Sequence, residues 1–87
     1  MGTVHDSPQA ALRLPNVQSM TRLTKREREV LAMIGRCCTD QEIASALRIA
    51  RDTVRNHIKA VRKKLRPKCR AHMALIAVQH GLAPPPG

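Results

Sequence analysis

The sequence predicts an all-α domain of four helices, near residues 25–36, 40–47, 51–66 and 70–80. Three observations carry that expectation. The first is a pair of helix-start signatures fifteen residues apart, Thr24-Lys25-Arg26-Glu27 and Thr39-Asp40-Gln41-Glu42. In each, the threonine hydroxyl takes one free N–H of the opening turn, and the glutamate reaches back to the N–H of the threonine. The second is helical periodicity from Arg51 to Arg66. Val54, Ile58, Val61 and Leu65 recur at i, i+4, i+7 and i+11 and form one apolar stripe. The third is an unbroken apolar run from Met73 to Val78, followed by Gly81, the residue type that most readily ends a helix.

Residues 1–22 read mostly as a flexible arm, with Gly2, Pro8, Pro15 and Asn16 among polar residues. Within it, Ser7 and Pro8 fit the cap and first position of a short helix, and Leu12, Leu14 and Val17 suit docking on the domain. The domain itself is expected over 23–82. Its first helix opens at the Thr24 box. Leu23 stands where a hydrophobic staple would sit, and Val30, Leu31 and Ile34 form the apolar face. The second helix turns Ile43 and Leu47 inward, with Ala44 small enough for close approach of another helix. Leu47 to Ala50 is a turn with Ile49 as its apolar plug. The third helix stops at Arg66 because Pro67 cannot continue it. A fourth helix apolar most of the way round needs more than one burial surface. Met73, Ala74 and Ala77 suit the first and third helices. Leu75, Val78 and Leu82 lie on an adjacent sector suited to a second copy of the chain; the plainer alternative makes all six internal core. Residues 83–87 read as a disordered tail.

Eighty-seven residues bound the chain to one small domain that buries about 60% of its unfolded surface. The formal net charge is +10, and nine of the sixteen Lys and Arg fall between Arg51 and Arg70 against one acid, Asp52. Such a concentration points to a polyanion. With no Phe, Tyr or Trp, aromatic stacking on splayed bases is not available; if the polyanion is a nucleic acid, duplex DNA is favoured. Arg55, Lys59, Arg62 and Arg66 repeat the spacing of the apolar stripe and form a cationic one beside it, widened by Asn56 and Lys63. Taken alone, that face suits an ordinary solvated helix. Two short helices and a tight turn ahead of it make it the second half of a helix-turn-helix, whose second helix enters the major groove. The preceding helix start offers free amides to a phosphate. No carboxylate pair, nucleophile–base set or Gly-rich phosphate loop suggests an enzyme. Cys37, Cys38 and Cys69 are odd in number and lack C-x-x-C spacing, so they read as reduced thiols. No metal, cofactor or small-molecule site is expected. No stretch approaches about 20 uncharged apolar residues, and no signal peptide is visible. The expectation is a cytoplasmic protein, on the nucleoid when DNA-bound, with no membrane partner.

The segments LTKREREVLAMI, TDQEIASAL, DTVRNHIKAVRKKL and CRAHMALIAVQHGL, together and in register, resemble the LuxR/GerE-type helix-turn-helix domain of bacterial transcription factors. The resemblance runs without gaps from Leu23 to Leu82. It implies a sequence-specific transcriptional regulator, with the third helix in the major groove and the fourth dimerising, hence a homodimer on an inverted repeat. Arg55, Asn56 and Lys59 fall at groove-contacting positions, with Asp52 at the same edge. Phosphate contacts are expected from Thr39, Arg51, Thr53, Lys63, Lys64 and Arg66. Glu29 and Glu42 match acids that brace the helices, and His57 suits packing or a phosphate. A receiver or ligand-binding domain does not fit ahead of the match, so a stand-alone module or a piece of a larger regulator is implied. The alternative function is a module docking on RNA polymerase or another regulator through the fourth helix.

Several positions depart from the family pattern. Cys37 stands where the family usually has Gly after the first helix, and Gly35 comes two residues early. Either the helix ends early or Cys37 takes a positive φ. Ala50 replaces the usual Ser or Thr cap of the third helix, removing about 1 kcal/mol of capping. Asp52 replaces a neutral or basic residue; an acid there repels phosphate, accepts from a cytosine amino group, or holds Arg55 one turn on. Cys69 opens the fourth helix in place of Asn or Ser.

Overall fold

The computed structural model describes residues 17–84. The expectations for Ser7-Pro8, Leu12, Leu14, the side chain of Val17 and residues 85–87 lie outside what is described. Among the described residues the elements are all helical: α1 (Val17–Thr21), α2 (Lys25–Gly35), α3 (Asp40–Leu47), α4 (Arg51–Leu65) and α5 (Arg70–Gln79). The last four are the helices expected from the sequence, each within a residue of its expected ends. The first is additional and lies inside the segment expected as a flexible arm over 1–22. It forms against α4, where Met20 joins Leu23 in the core; burial of Met20 supplies the apolar stabilisation that a free arm lacks.

Both capping boxes are present. Thr24 Oγ1 accepts from Glu27 N at 3.1 Å while Glu27 Oε1 accepts from Thr24 N at 3.0 Å; the Thr39–Glu42 pair does the same at 3.1 and 2.8 Å. The hydrophobic staple takes another form, because the residue one turn into α2 is Arg28. Leu23 buries its side chain in the core, and Arg28 Nη1 donates to the Leu23 carbonyl at 2.9 Å.

Helix α2 packs on α5 and α4, and α3 packs on α4. Between them lie Val30, Leu31, Ile34, Ile43, Val54, Val61, Met73 and Ile76, all fully buried. Of the two ways past Gly35, the chain takes the positive φ: Cys37 sits at φ 65°. Gly35 serves a different need. A Cβ there would stand 2.7 Å from Ala77 Cβ and 2.8 Å from Ala83 Cβ, so the end of α5 crosses α2 where α2 has no side chain.

Helix α3 ends on Arg48 and α4 on Arg66, both left-handed, at φ 58° and 52°. Ala50 caps α4 with extended backbone and no side-chain hydrogen bond, and Cys69 does the same for α5. At α5 the loss is partly made good, since His72 Nδ1 accepts from the Lys68 N–H at 2.9 Å. At the far end Gly81, at φ 75°, turns the chain back so that the Leu82 N–H bonds the Ala77 carbonyl at 2.8 Å.

The packing of α5 and of this reversal corrects two expectations. Leu82 and Val78, expected on a second exposed sector with Leu75, are half-buried against the core, and Leu75 alone of the three is exposed, at 38%. The tail expected from Ala83 gives up its first residue, because Ala83 is buried. The packed unit therefore extends from Met20 to Ala83, past the expected limits of 23 and 82 at both ends. No helix among the described residues is long and apolar enough to cross a membrane.

Candidate nucleic-acid interface

Helix α4 has the two sides that its periodicity indicated. Val54, Ile58, Val61 and Leu65 are buried. Arg51, Asp52, Arg55, Asn56, Lys59, Arg62, Lys63 and Arg66 are exposed, and Thr53 and His57 are half-buried at the margin. Eight of these ten line a surface that is cationic apart from Asp52 and Asn56 once the marginal pair is set aside. Thr39, also exposed, opens α3 beside this surface. Its hydroxyl oxygen accepts the Glu42 N–H, which leaves its proton to donate outward.

The guanidinium of Arg55 stands between two carboxylates. Its Nε is 3.8 Å from Asp40 Oδ2, and its Nη1 is 3.9 Å from Asp52 Oδ1. The Asp52 contact is the one-turn pair considered from the sequence. The Asp40 contact was not foreseen, nor was what stands behind it. Arg70, first residue of α5, donates from Nη1 to Asp40 Oδ1 at 2.7 Å and from Nη2 to the Cys38 carbonyl at 2.8 Å. Asp40 and Arg70 are thirty residues apart, and helical spacing carries no signal across that distance. The only local hint was that Asp40 is an acid on a basic face.

Two clefts open on this side of the molecule. One, of about 620 Å³, lies among Cys38, Asp40, Arg51, Arg55 and Arg70. The other, of about 270 Å³, lies among Asp40, Arg55, Lys59, Arg62 and Arg70. Among the described residues Asp40 is the sole acid lining either. Among the described residues no group of His, Cys, Asp and Glu is placed to hold a metal ion, and Cys37, Cys38 and Cys69 are free thiols.

Lys64, expected to reach a DNA phosphate, is committed elsewhere. Its Nζ lies 2.6 Å from Glu27 Oε1, and the Glu27 side chain is buried where α2 meets α4, 8% exposed. A lysine at this register reaches toward α2 and pairs with its buried glutamate, a partner that helical spacing within α4 does not show. Burial pushes the Glu27 carboxyl up, but the Lys64 hydrogen bond, the Thr24 N–H and the charges of Lys64 and His57 outweigh it and hold the group below its ordinary value. Glu29 has a lesser role, pairing with Arg26 on the surface at 3.1 Å. Glu42 closes its capping box, and so both expected bracing acids act within their own helices.

Comparison with known proteins places these features in a group. The family described as bacterial regulatory proteins, luxR family, matches residues 21–77. The response regulator protein VraR of Staphylococcus aureus is 40% identical over 60 residues, and VraR of Staphylococcus saprophyticus and of Staphylococcus epidermidis match to the same extent. The aligned stretch is 69% of this chain and 29% of those relatives, so the chain corresponds to less than a third of their length. No solved structure matches the chain significantly.

Proposed function

The chain belongs to the luxR family of bacterial regulatory proteins, whose helix-turn-helix is a DNA-binding regulatory fold and not an enzyme, and from that premise we propose that it reads a specific duplex sequence with α4 in the major groove. The observation that carries this reading is the division of α4 into a fully packed apolar side and an exposed side bearing Arg51, Arg55, Lys59, Arg62, Lys63 and Arg66. A rod of that kind can seat in a groove about 12 Å wide without uncovering the core.

Arg55 and Lys59 present donors suited to guanine O6 and N7, Asn56 suits a base edge, and Asp52 suits a cytosine amino group. Thr39, Arg51, Thr53, Lys63 and Arg66 hold phosphates and fix the register. Lys64 leaves that set because Glu27 engages it. The protein acts as a transcriptional regulator whose DNA-binding domain spans Met20 to Ala83. Two copies pair through α5, with Leu75 at the centre and the flanks of Val78 and Leu82 around it. Two-fold symmetry then requires an inverted repeat with half-sites about 10 base pairs apart or a multiple of that.

Selection of bound duplexes from a random pool tests this reading. The expected product is an inverted repeat bound with steep salt dependence, each phosphate contact adding about −0.9 to the log–log slope. Enrichment of no sequence, with equal affinity for scrambled duplex at physiological salt, defeats specific reading. A monomer that captures RNA polymerase or a second regulator in defined stoichiometry instead would favour the docking alternative.

A further inference from the structure

We infer that Asp40 is a positioning residue for sequence reading: it orients Arg55 and so sets the base preference where Arg55 meets the DNA. The inference rests on Arg55 reading a base, as proposed above. Asp40 does not itself need to touch DNA.

An arginine side chain has several rotatable bonds and loses much entropy when it is fixed, yet a guanidinium reads a base edge only in one orientation. Something must choose that orientation. Asp52 is a poor candidate, because its side chain is 89% exposed and solvent screens such pairs. Asp40 is better held. Its side chain is 24% exposed, it is the first residue of α3, and Arg70 grips its other oxygen at 2.7 Å while bonding the Cys38 carbonyl at 2.8 Å. The loop before α3, the start of α3 and the start of α5 thus fix one carboxylate oxygen, and the second oxygen faces Arg55 Nε at 3.8 Å.

The charge setting gives the role a distinctive signature. Among the described residues Asp40 is the lone acid lining two clefts that also bear Arg51, Arg55, Lys59, Arg62 and Arg70. It weakens attraction to phosphate there. A residue kept for non-specific affinity would not be an acid at this place. Neutralising it should raise affinity for any duplex while loosening discrimination at one base pair, two effects of opposite direction. A merely structural role would lower both together.

The test uses the full chain and the duplex obtained by selection. Asp40→Asn, Arg55→Ala and the double variant are titrated against that duplex, against each single-base change of it, and against a scrambled duplex, with thermal unfolding measured for each protein. Asp40→Asn is expected to lose discrimination about ten-fold at the position that Arg55→Ala flattens, and at no other. Its affinity for scrambled duplex should rise, and the double variant should discriminate no worse there than Arg55→Ala alone. Should Asp40→Asn lower the unfolding midpoint strongly, Asp40→Glu keeps the charge, displaces it by one methylene, and is expected to shift discrimination at the same position with scrambled-duplex affinity unchanged. Discrimination retained in a folded Asp40 variant, or lost evenly across the site, overturns the inference while leaving Arg55 as a reader. If Arg55→Ala flattens no position, the reading by Arg55 fails, and the inference with it.

Discussion

At the residue scale, two neighbouring lysines with similar sequence surroundings have different jobs. Lys63 is exposed, whereas Lys64 meets the buried Glu27 at 2.6 Å. Lys64→Ala strands a buried carboxylate and is expected to destabilise the fold by about 2 kcal/mol while leaving the salt slope of DNA binding unchanged. Lys63→Ala should do the reverse: stability stays within about 0.5 kcal/mol, and the slope falls by about 1. Denaturant unfolding and salt-dependent titration separate the two. The same pair makes stability depend on pH. The folded value of Glu27 lies below its ordinary 4.5. Its contribution is therefore fully present above that ordinary value and is lost as pH falls through the lower, folded one. The unfolding midpoint should drop over that acid range, and Glu27→Gln should flatten the drop.

At the element scale, helices whose sequence signatures are complete coexist with helices that start or end imperfectly. Both threonine boxes close, but Ala50 offers α4 no side-chain cap although its backbone already has the extended shape that a cap requires. Ala50→Ser should stabilise the protein by about 1 kcal/mol, seen as a rise of roughly 4–8 °C in the thermal midpoint for a domain of this size. Gly35 leads to the opposite expectation from the one helix propensity suggests. Alanine is favoured over glycine within a helix by about 1 kcal/mol, but a Cβ at Gly35 would meet those of Ala77 and Ala83 at 2.7 and 2.8 Å. Gly35→Ala should therefore destabilise, by about 1–3 kcal/mol, with α5 displaced from α2. A gain in denaturant midpoint would contradict that close crossing.

At the scale of the whole molecule, a small core free of aromatics is flanked by a basic surface and by a short apolar exposure on α5. Leu75 is the exposed large apolar residue among those described, and the pairing proposed above runs through it. Leu75→Glu should leave folding intact and reduce affinity for a full inverted repeat toward that for a single half-site, because the two reading helices would no longer bind as one unit. Unchanged binding to the full repeat, measured alongside sedimentation of the free protein, would remove α5 from the pairing.

Much of this molecule could be read from local order along the chain. The four main helices, the threonine caps of α2 and α3, the buried stripe of α4 and the cationic stripe beside it all follow from residues within one or two turns of each other, where spacing alone fixes which side chains share a face. The absent cap at Ala50 and the positive φ at Cys37 were legible only as departures from the family pattern, the latter as one of two ways past Gly35. Tertiary structure decided what depends on residues that meet only after folding. It took Lys64 out of the basic surface by opposing it to Glu27, it packed Val78 against the core, and it brought Leu82 and Ala83 onto the core through the turn at Gly81. It also joined Arg70, Asp40 and Arg55 into one line of charges. Helical periodicity states which face a residue occupies, but not what is packed opposite, and in a domain this small the partner opposite determines whether a charged side chain supports the fold or is left for DNA.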